Sequence, residues 1–306
     1  MAKYIIYCMF SLMILVYQQP INAQENLLSL LENEHDKNEK VVATFKSTRV
    51  INAQTIETVK HQNLDFRITH RFGNVGSKSN GGVHTLWGFD SAENIRFSFD
   101  YGISDRLQLG IGRSKIKEHL DCSLKYRLLE QTTGNSIPAS IALYSIMAYT
   151  PEKDFENYYL KTEYRLSYTF QGIIARKFGE RFSFEVLPTL VHRNYVTAFV
   201  NPVNGSEETN DVFSIGAGAR LKLTKRTVLV ADYFYAFSDY RMGNSAIPYY
   251  PPFSIGIEIE TGGHVFHLNL SNASGIIENE FILNNPDSWF NGGYKIGFNI
   301  SRVFDL

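Results

Sequence analysis

From residue 63 onward, apolar and polar side chains alternate. Leu64, Phe66, Ile68 and Phe72 interleave with Asp65, Arg67, Thr69 and Arg71. Ile95, Phe97, Phe99 and Tyr101 interleave with Arg96, Ser98 and Asp100, and Ile255, Ile257 and Ile259 with Ser254, Gly256 and Glu258. Successive side chains of a strand point to opposite faces, so each such segment has one apolar and one polar face. Read this way, the chain predicts strands at 63–72, 94–101, 106–114, 119–129, 138–149, 162–177, 181–194, 211–223, 226–238, 253–260, 264–272 and 292–304. Segment 138–149 (PASIALYSIMAY) is apolar on both faces. Short connections (102–105, 130–137, 178–180, 224–225, 261–263) alternate with long ones (73–93, 150–161, 195–210, 239–252, 273–291); only 115–118 breaks the rule. No helical stretch separates the strands, so they pair antiparallel as consecutive hairpins.

A soluble sandwich and a membrane barrel share this periodicity but bury opposite faces. Three features favour the membrane. The segments reach the ~9–11 residues that cross a bilayer with tilt, against a mean of ~5–6 in soluble sheets. Short turns alternate with long loops, as on the two sides of a barrel. Aromatics such as Phe72, Tyr101, Tyr126, Tyr149, Phe170 and Phe237 sit at strand ends, where interfacial girdles lie. The expected fold is all-β, an antiparallel up-and-down transmembrane β-barrel of about 12 strands in the outer membrane. An even strand count with short turns on the N-terminal side places both termini in the periplasm.

The N-terminus reads as an export signal over 1–23. Lys3 is followed by the apolar run YIIYCMFSLMILVY and a polar stretch ending at Ala23. Cleavage there leaves Cys122 as the single cysteine, which excludes an intrachain disulfide. Residues 24–60 read as a periplasmic extension able to lie partly in the lumen, and 61–306 as the barrel.

The last segment, GYKIGFNISRVF, resembles the terminal signal read by the barrel-assembly machinery, carried here by Tyr294, Ile296, Phe298, Ile300 and Phe304. Asp305 and Leu306 follow the aromatic, a departure from that pattern. The stretches ATFKSTRVIN (43–52), LDFRITHRFG (64–73), NIRFSFDYGISDRLQLGIGRS (94–114) and SLKYRLLEQ (123–131) resemble a Gram-negative outer-membrane barrel family of unknown function, over roughly residues 41–306. The resemblance implies fold and location, and no activity.

Composition sharpens this picture. The 306 residues are 44% hydrophobic and 14% aromatic, with a formal charge of −1. A chain this apolar is not disordered, and without net positive charge it lacks the general attraction to nucleic acid. The residues expected to line the lumen are Asp65, Arg67, Arg71, Arg96, Asp100 and Arg106, then Asp121, Lys125, Arg127, Arg165, Glu185 and Arg220, and finally Lys222, Asp232, Glu258, Glu260 and Lys295. They describe either a pore with a slight basic excess or an ion-pair network that holds a narrow bore shut. His267, Asn269 and Ser271 share one face of a strand and are the weak candidates for phospholipase-like catalysis. Same-face neighbours stand ~6.6–6.8 Å apart, long for a base–nucleophile hydrogen bond. The histidines are scattered without ligand spacing, so neither metal nor cofactor is expected. Loops 239–252 and 273–291, rich in aromatics, can contact a surface partner or small solute, or fold inward as a constriction. The leading expectation is a channel or transport-related barrel for small solutes in contact with outer-membrane lipid. The alternatives are a plugged structural or partner-binding barrel, with residues 41–60 inside it, and a lipid-modifying enzyme.

Overall fold

In the computed structural model, residues 39–76, 81–155, 157–261 and 264–306 are described; the expected signal peptide and the extension before residue 39 lie outside them. Twelve antiparallel strands form one closed ring. They are β1 (Asn63–Asn74), β2 (Ala92–Ser104), β3 (Leu107–Ser114), β4 (Leu120–Leu129), β5 (Ser140–Tyr149) and β6 (Leu166–Lys177), followed by β7 (Phe182–Arg193), β8 (Asp211–Lys222), β9 (Thr227–Phe237), β10 (Phe253–Thr261), β11 (His264–Ser271) and β12 (Lys295–Asp305). Each strand pairs with its sequence neighbours. β12 closes onto β1 with Leu64 opposite Phe304 and Ile68 opposite Ile300. Closure leaves no open edge, so backbone polar groups find partners around the ring where lipid supplies none.

The usual burial pattern is inverted. In β1, Asp65, Arg67, Thr69 and Arg71 are buried, whereas Phe97, Phe99, Leu109, Ile111 and Leu124 on the neighbouring strands are exposed. Polar residues face inward and apolar ones form the outer surface, the arrangement that suits lipid. β6 starts later than the periodicity predicts. Thr162–Arg165 form a 3-10 turn, and the Arg165 side chain donates to the Thr150 and Glu152 carbonyls at 3.0 and 2.8 Å.

An eight-stranded barrel is about as wide as its own side chains can fill, so a twelve-stranded ring encloses surplus space. Here two chain segments occupy it. Residues 44–57 enter past the short turns. From the opposite end, the β11–β12 connection folds inward and carries the short helix α1 (Glu278–Phe281), which is buried throughout.

The interior has two unlike walls. The inner faces of β5–β9 carry most of the apolar lining, with Ala142, Tyr144, Ile146, Ile173, Leu187 and Phe234 interspersed with polar residues such as Glu185, Arg220 and Asp232. The apolar side chains share one core with Phe45, Val50, Ile51 and Ile56 of the N-terminal segment and with Ile277, Phe281 and Ile282 of the loop. This explains why segment 138–149 is apolar on both faces: Leu143 and Met147 point outward, while Tyr144 and Ile146 pack on the inserted chain. Each such buried Ile or Phe contributes roughly 1.5–3 kcal/mol. Gly216 makes this packing possible, because a Cβ there would lie 2.4 Å from the Phe234 ring. The opposite wall, built from β1–β4 and β10–β12, is mostly polar and charged.

Candidate functional site: a closed polar lumen

The inserted N-terminal segment is a small hairpin. Arg49 and Gln54 form a bridge, the Val50 N–H donates to the Ala53 carbonyl at 2.9 Å, and the Thr55 N–H donates to the Thr48 carbonyl at 3.0 Å. Its tip presents three successive N–H groups, those of Ile51, Asn52 and Ala53. All three donate to Asp232 Oδ2 of β9, at 3.2, 2.7 and 3.0 Å. Successive N–H groups converging in this way form an anion nest, and a carboxylate held in one away from water makes strong hydrogen bonds. Asn52 is fixed on both sides. Its Nδ2 donates to Ser254 Oγ at 3.0 Å, and its Oδ1 accepts from Arg71 Nη2 at 2.9 Å.

The charged wall grips the two arms as well. The buried Lys125 ammonium donates to the carbonyls of Thr48, Thr55 and Glu57 at 3.0, 3.1 and 3.2 Å, matching its three protons to three acceptors. Arg67 Nη2 donates to Ser47 Oγ and Thr48 Oγ1 at 3.0 and 2.8 Å, and pairs with Asp65 at 2.9 Å. Where the hairpin enters, contacts are looser. Lys46 meets Glu260 at 3.2 Å with both side chains well exposed. Burial pushes the Glu57 carboxyl above the ordinary carboxylate range, although it accepts from the Phe45 N–H and lies near Arg127.

At the hairpin tip, Arg49 Nη1 donates to the Ile276 carbonyl at 3.3 Å and joins the two inserted segments. The loop segment crosses the bore. On the β6 side, Asn279 accepts from Thr169 Oγ1 at 3.0 Å and donates to Ser167 Oγ at 2.9 Å. On the β2 side, Asn94 donates to the Ser274 carbonyl and to Glu280. Phe281 meets Phe234 edge-on, with ring centroids 4.9 Å apart. Burial raises the Glu278 carboxyl, opposed by the nearby Arg49. The long-loop end opens as a vestibule of about 520 Å³ above this floor.

Among the residues read as lumen-lining, Asp65, Arg67, Arg71, Arg96, Asp100, Asp121, Lys125, Glu185, Arg220, Asp232, Glu258 and Lys295 are buried within the ring. Several are committed to partners other than the hairpin. Arg96 pairs with Asp121, Lys295 with Asp287 at 2.5 Å, and Glu258 lies between Arg220 at 3.5 Å and His267 at 3.1 Å. Gly112 leaves room for the first pair, since a Cβ there would fall 2.0 Å from the Arg96 guanidinium. Two of the expected positions lie off the strands, Arg106 in the turn before β3 and Arg165 in a 3-10 turn, while Arg127, Lys222 and Glu260 keep the inward phase near strand ends, Arg127 lying 3.8 Å from Glu57 of the hairpin. Arg106 pairs with Glu130 across the short-turn end at 3.0 Å.

His267, Asn269 and Ser271 all point inward on β11 but do not engage one another. His267 Nε2 faces Glu258, while Ser271 Oγ accepts from the Ser254 hydroxyl at 2.9 Å and the Ala273 N–H at 3.1 Å. The Asn269 amide has no hydrogen-bond partner among the described residues. Along β12, Ile296, Phe298 and Ile300 alternate with buried residues, and Phe304 lies under the Arg302 guanidinium. Tyr294 precedes the strand and stacks on Trp289 at 5.0 Å. The hairpin's hold on Asp232 was not singled out from the sequence; its only trace was a doubly apolar strand that needed something to pack against.

A closed ring with an apolar exterior and a filled, charged interior defines a membrane-bound β-barrel of the outer-membrane type. The chain belongs to the family described as membrane bound beta barrel domain (DUF5777), which matches residues 45–304. Nearly all of the lumenal hairpin thus falls inside the family's span. No curated protein matches the chain. Among solved structures, it is similar to the NanC porin, at 8% identity and a TM-score of 0.47, covering 79% of this chain and 99% of that one. It is also similar to an outer membrane channel from Pseudomonas putida F1, at 14% identity and a TM-score of 0.46, covering 81% and 98%. A third similar structure is the Acinetobacter baumannii outer membrane protein Omp33, at 11% identity and a TM-score of 0.39, covering 82% and 100%.

Proposed function

We propose that this protein is a gated channel of the Gram-negative outer membrane for small polar solutes, shut by the hairpin 44–57 in the conformation described. One observation carries this reading: besides the apolar packing of Phe45, Val50, Ile51 and Ile56, the hairpin is seated on the barrel wall by hydrogen bonds to Asp232, Lys125, Arg67 and Arg71. Water can replace such contacts one for one when the hairpin withdraws, and the wall left behind is charged and wettable. The short-turn end, where the hairpin enters and β12 ends, is the periplasmic side in this reading. Outer-membrane lipid then meets the apolar exterior, and the barrel-assembly machinery reads the β12 residues during insertion. Loop 239–252 is the remaining long aromatic loop open to a surface partner, because 273–291 is folded inward.

Swelling of proteoliposomes in small sugars and amino acids tests the reading. The intact chain should pass little, and a variant lacking residues 24–57 should pass both solutes. A variant that keeps the heat-dependent gel migration of a folded barrel yet passes nothing would sink it. The rival reading, a plugged structural barrel, draws on the apolar contacts of the loop segment and expects that second result. The lipid-modifying alternative draws no support from β11, where the serine and histidine are each bonded elsewhere.

A further inference from the structure

The vestibule at the long-loop end is a second chemical environment, separate from the hairpin's contacts. Its volume of about 520 Å³ falls within the ~300–1,000 Å³ usual for small-ligand sites. Its floor is the inserted loop, at Ser274, Gly275 and Asn279. Its walls are aromatic: Tyr158, Tyr159, Tyr195 and Phe199 on one side, Tyr240 and Tyr249 on the other. Tyrosine presents a flat apolar face and a hydroxyl on a stiff side chain, a combination suited to a ring that carries polar groups.

The cavity is lined by three cations, Lys117, Arg193 and Arg241, and three carboxylates, Glu93, Glu208 and Glu280. Arg193 and Arg241 both donate to one carboxylate oxygen, Glu208 Oε1, at 2.6 and 2.7 Å. Two guanidiniums therefore share one negative charge. Glu280 is already committed: its Oε1 lies 3.0 Å from His119 Nδ1, and its Oε2 accepts from the Ile276 N–H at 2.8 Å and the Asn94 amide at 3.2 Å. Glu93 also lines the cavity but stands exposed at its rim.

Lys117 lines the same cavity and has neither ion pair nor hydrogen bond for its ammonium among the described residues. It sits on a left-handed backbone (φ 49°), in a turn that breaks the helical geometry around it. The Arg193 Nε and the Tyr240 hydroxyl are buried without hydrogen-bond partners among the described residues. Burial and the neighbouring Arg193 hold Arg241 below its ordinary pKa, although it pairs with Glu208.

We infer that the vestibule binds a small carboxylate that carries a ring. The acid group would sit against Lys117 and the Arg193–Arg241 pair, and the ring would lie on the tyrosine walls. The floor of this site adjoins Ile276, whose carbonyl accepts from Arg49 at the hairpin tip, so an occupied vestibule touches the segment that meets the hairpin.

Calorimetric titration of the intact protein in detergent tests this with four probes: galacturonate, benzoate, glucose and acetate. The first two distinguish a sugar acid from an aromatic acid, glucose lacks the charge, and acetate lacks the ring. The expected result is binding of galacturonate or benzoate at least ~10-fold tighter than of glucose and acetate. Lys117→Gln, at an exposed loop position that leaves the strands untouched, should weaken the preferred acid roughly 5- to 20-fold. The Lys46→Ala variant, altered at the exposed entrance on the opposite end of the barrel, should keep the parent affinity. No binding of either acid up to about 10 mM, equal binding of glucose, or an affinity that Lys117→Gln leaves unchanged would each overturn the proposal. The failure of this site would leave the solute-swelling result untouched, because that assay reads the hairpin.

Discussion

The two segments that fill the barrel share one apolar core but differ in their anchorage and in the charges they meet. The loop segment is anchored at both ends, in β11 and β12, and rests on apolar packing through Ile277, Phe281 and Ile282. The hairpin joins the barrel at β1, buries Phe45, Val50, Ile51 and Ile56 in the same core, and also meets carboxylate, ammonium and guanidinium groups of the barrel. Apolar packing resists water, because exposing those side chains carries the full hydrophobic cost. Hydrogen bonds to charged groups are exchangeable, because water offers the same donors and acceptors. On the proposed gating, this difference makes the hairpin the removable closure and the loop the fixed one. Charge in a barrel lumen is therefore not evidence of an open path; here much of it is the seat of a closure.

Substitutions in the two segments should part along this line. Phe281→Ala removes the ring that meets Phe234 and leaves a cavity in the shared core, costing about 3–5 kcal/mol. Denaturant unfolding in detergent should show that loss, while reactivity at the hairpin tip stays at the parent level. Asp232→Ala removes the acceptor of three N–H groups and should weaken the hairpin's hold by about 3 kcal/mol, roughly 100-fold in its release. An Ala53→Cys reporter on a Cys122→Ser background, treated with a water-soluble maleimide, reads this release; unchanged labelling would mean that the nest does not hold the tip. Lys125→Met keeps the length of the side chain but strands three carbonyls, and should loosen the arms by about 2 kcal/mol by the same labelling. Lys46→Ala cuts only an exposed pair at the entrance, worth under ~1 kcal/mol and already screened in molar salt, so its labelling should match the parent's in both low and high salt.

Much of the architecture was legible in the alternation. Lipid favours apolar side chains at most outward positions, and that constraint is local, repeated and visible along Leu64–Phe72 or Ile95–Tyr101. The inward positions carry no equivalent label, since Asp232 facing water and Asp232 gripping Ile51, Asn52 and Ala53 read alike. The contact joins residues about 180 positions apart in the chain. Rim positions were misread for a different reason: Arg165 keeps the period of a strand, but its side chain binds the carbonyls of the preceding loop and the backbone turns before β6 begins. The doubly apolar segment at 138–149 was the one local sign that something other than water lay inside.

The removable closure is tested most directly by ion current across a planar bilayer, recorded for the intact chain and for the variant lacking residues 24–57. The account predicts a silent or rarely opening intact barrel and a steady current through the variant. A folded variant that stays silent, or an intact barrel that conducts as well as the variant, would contradict it.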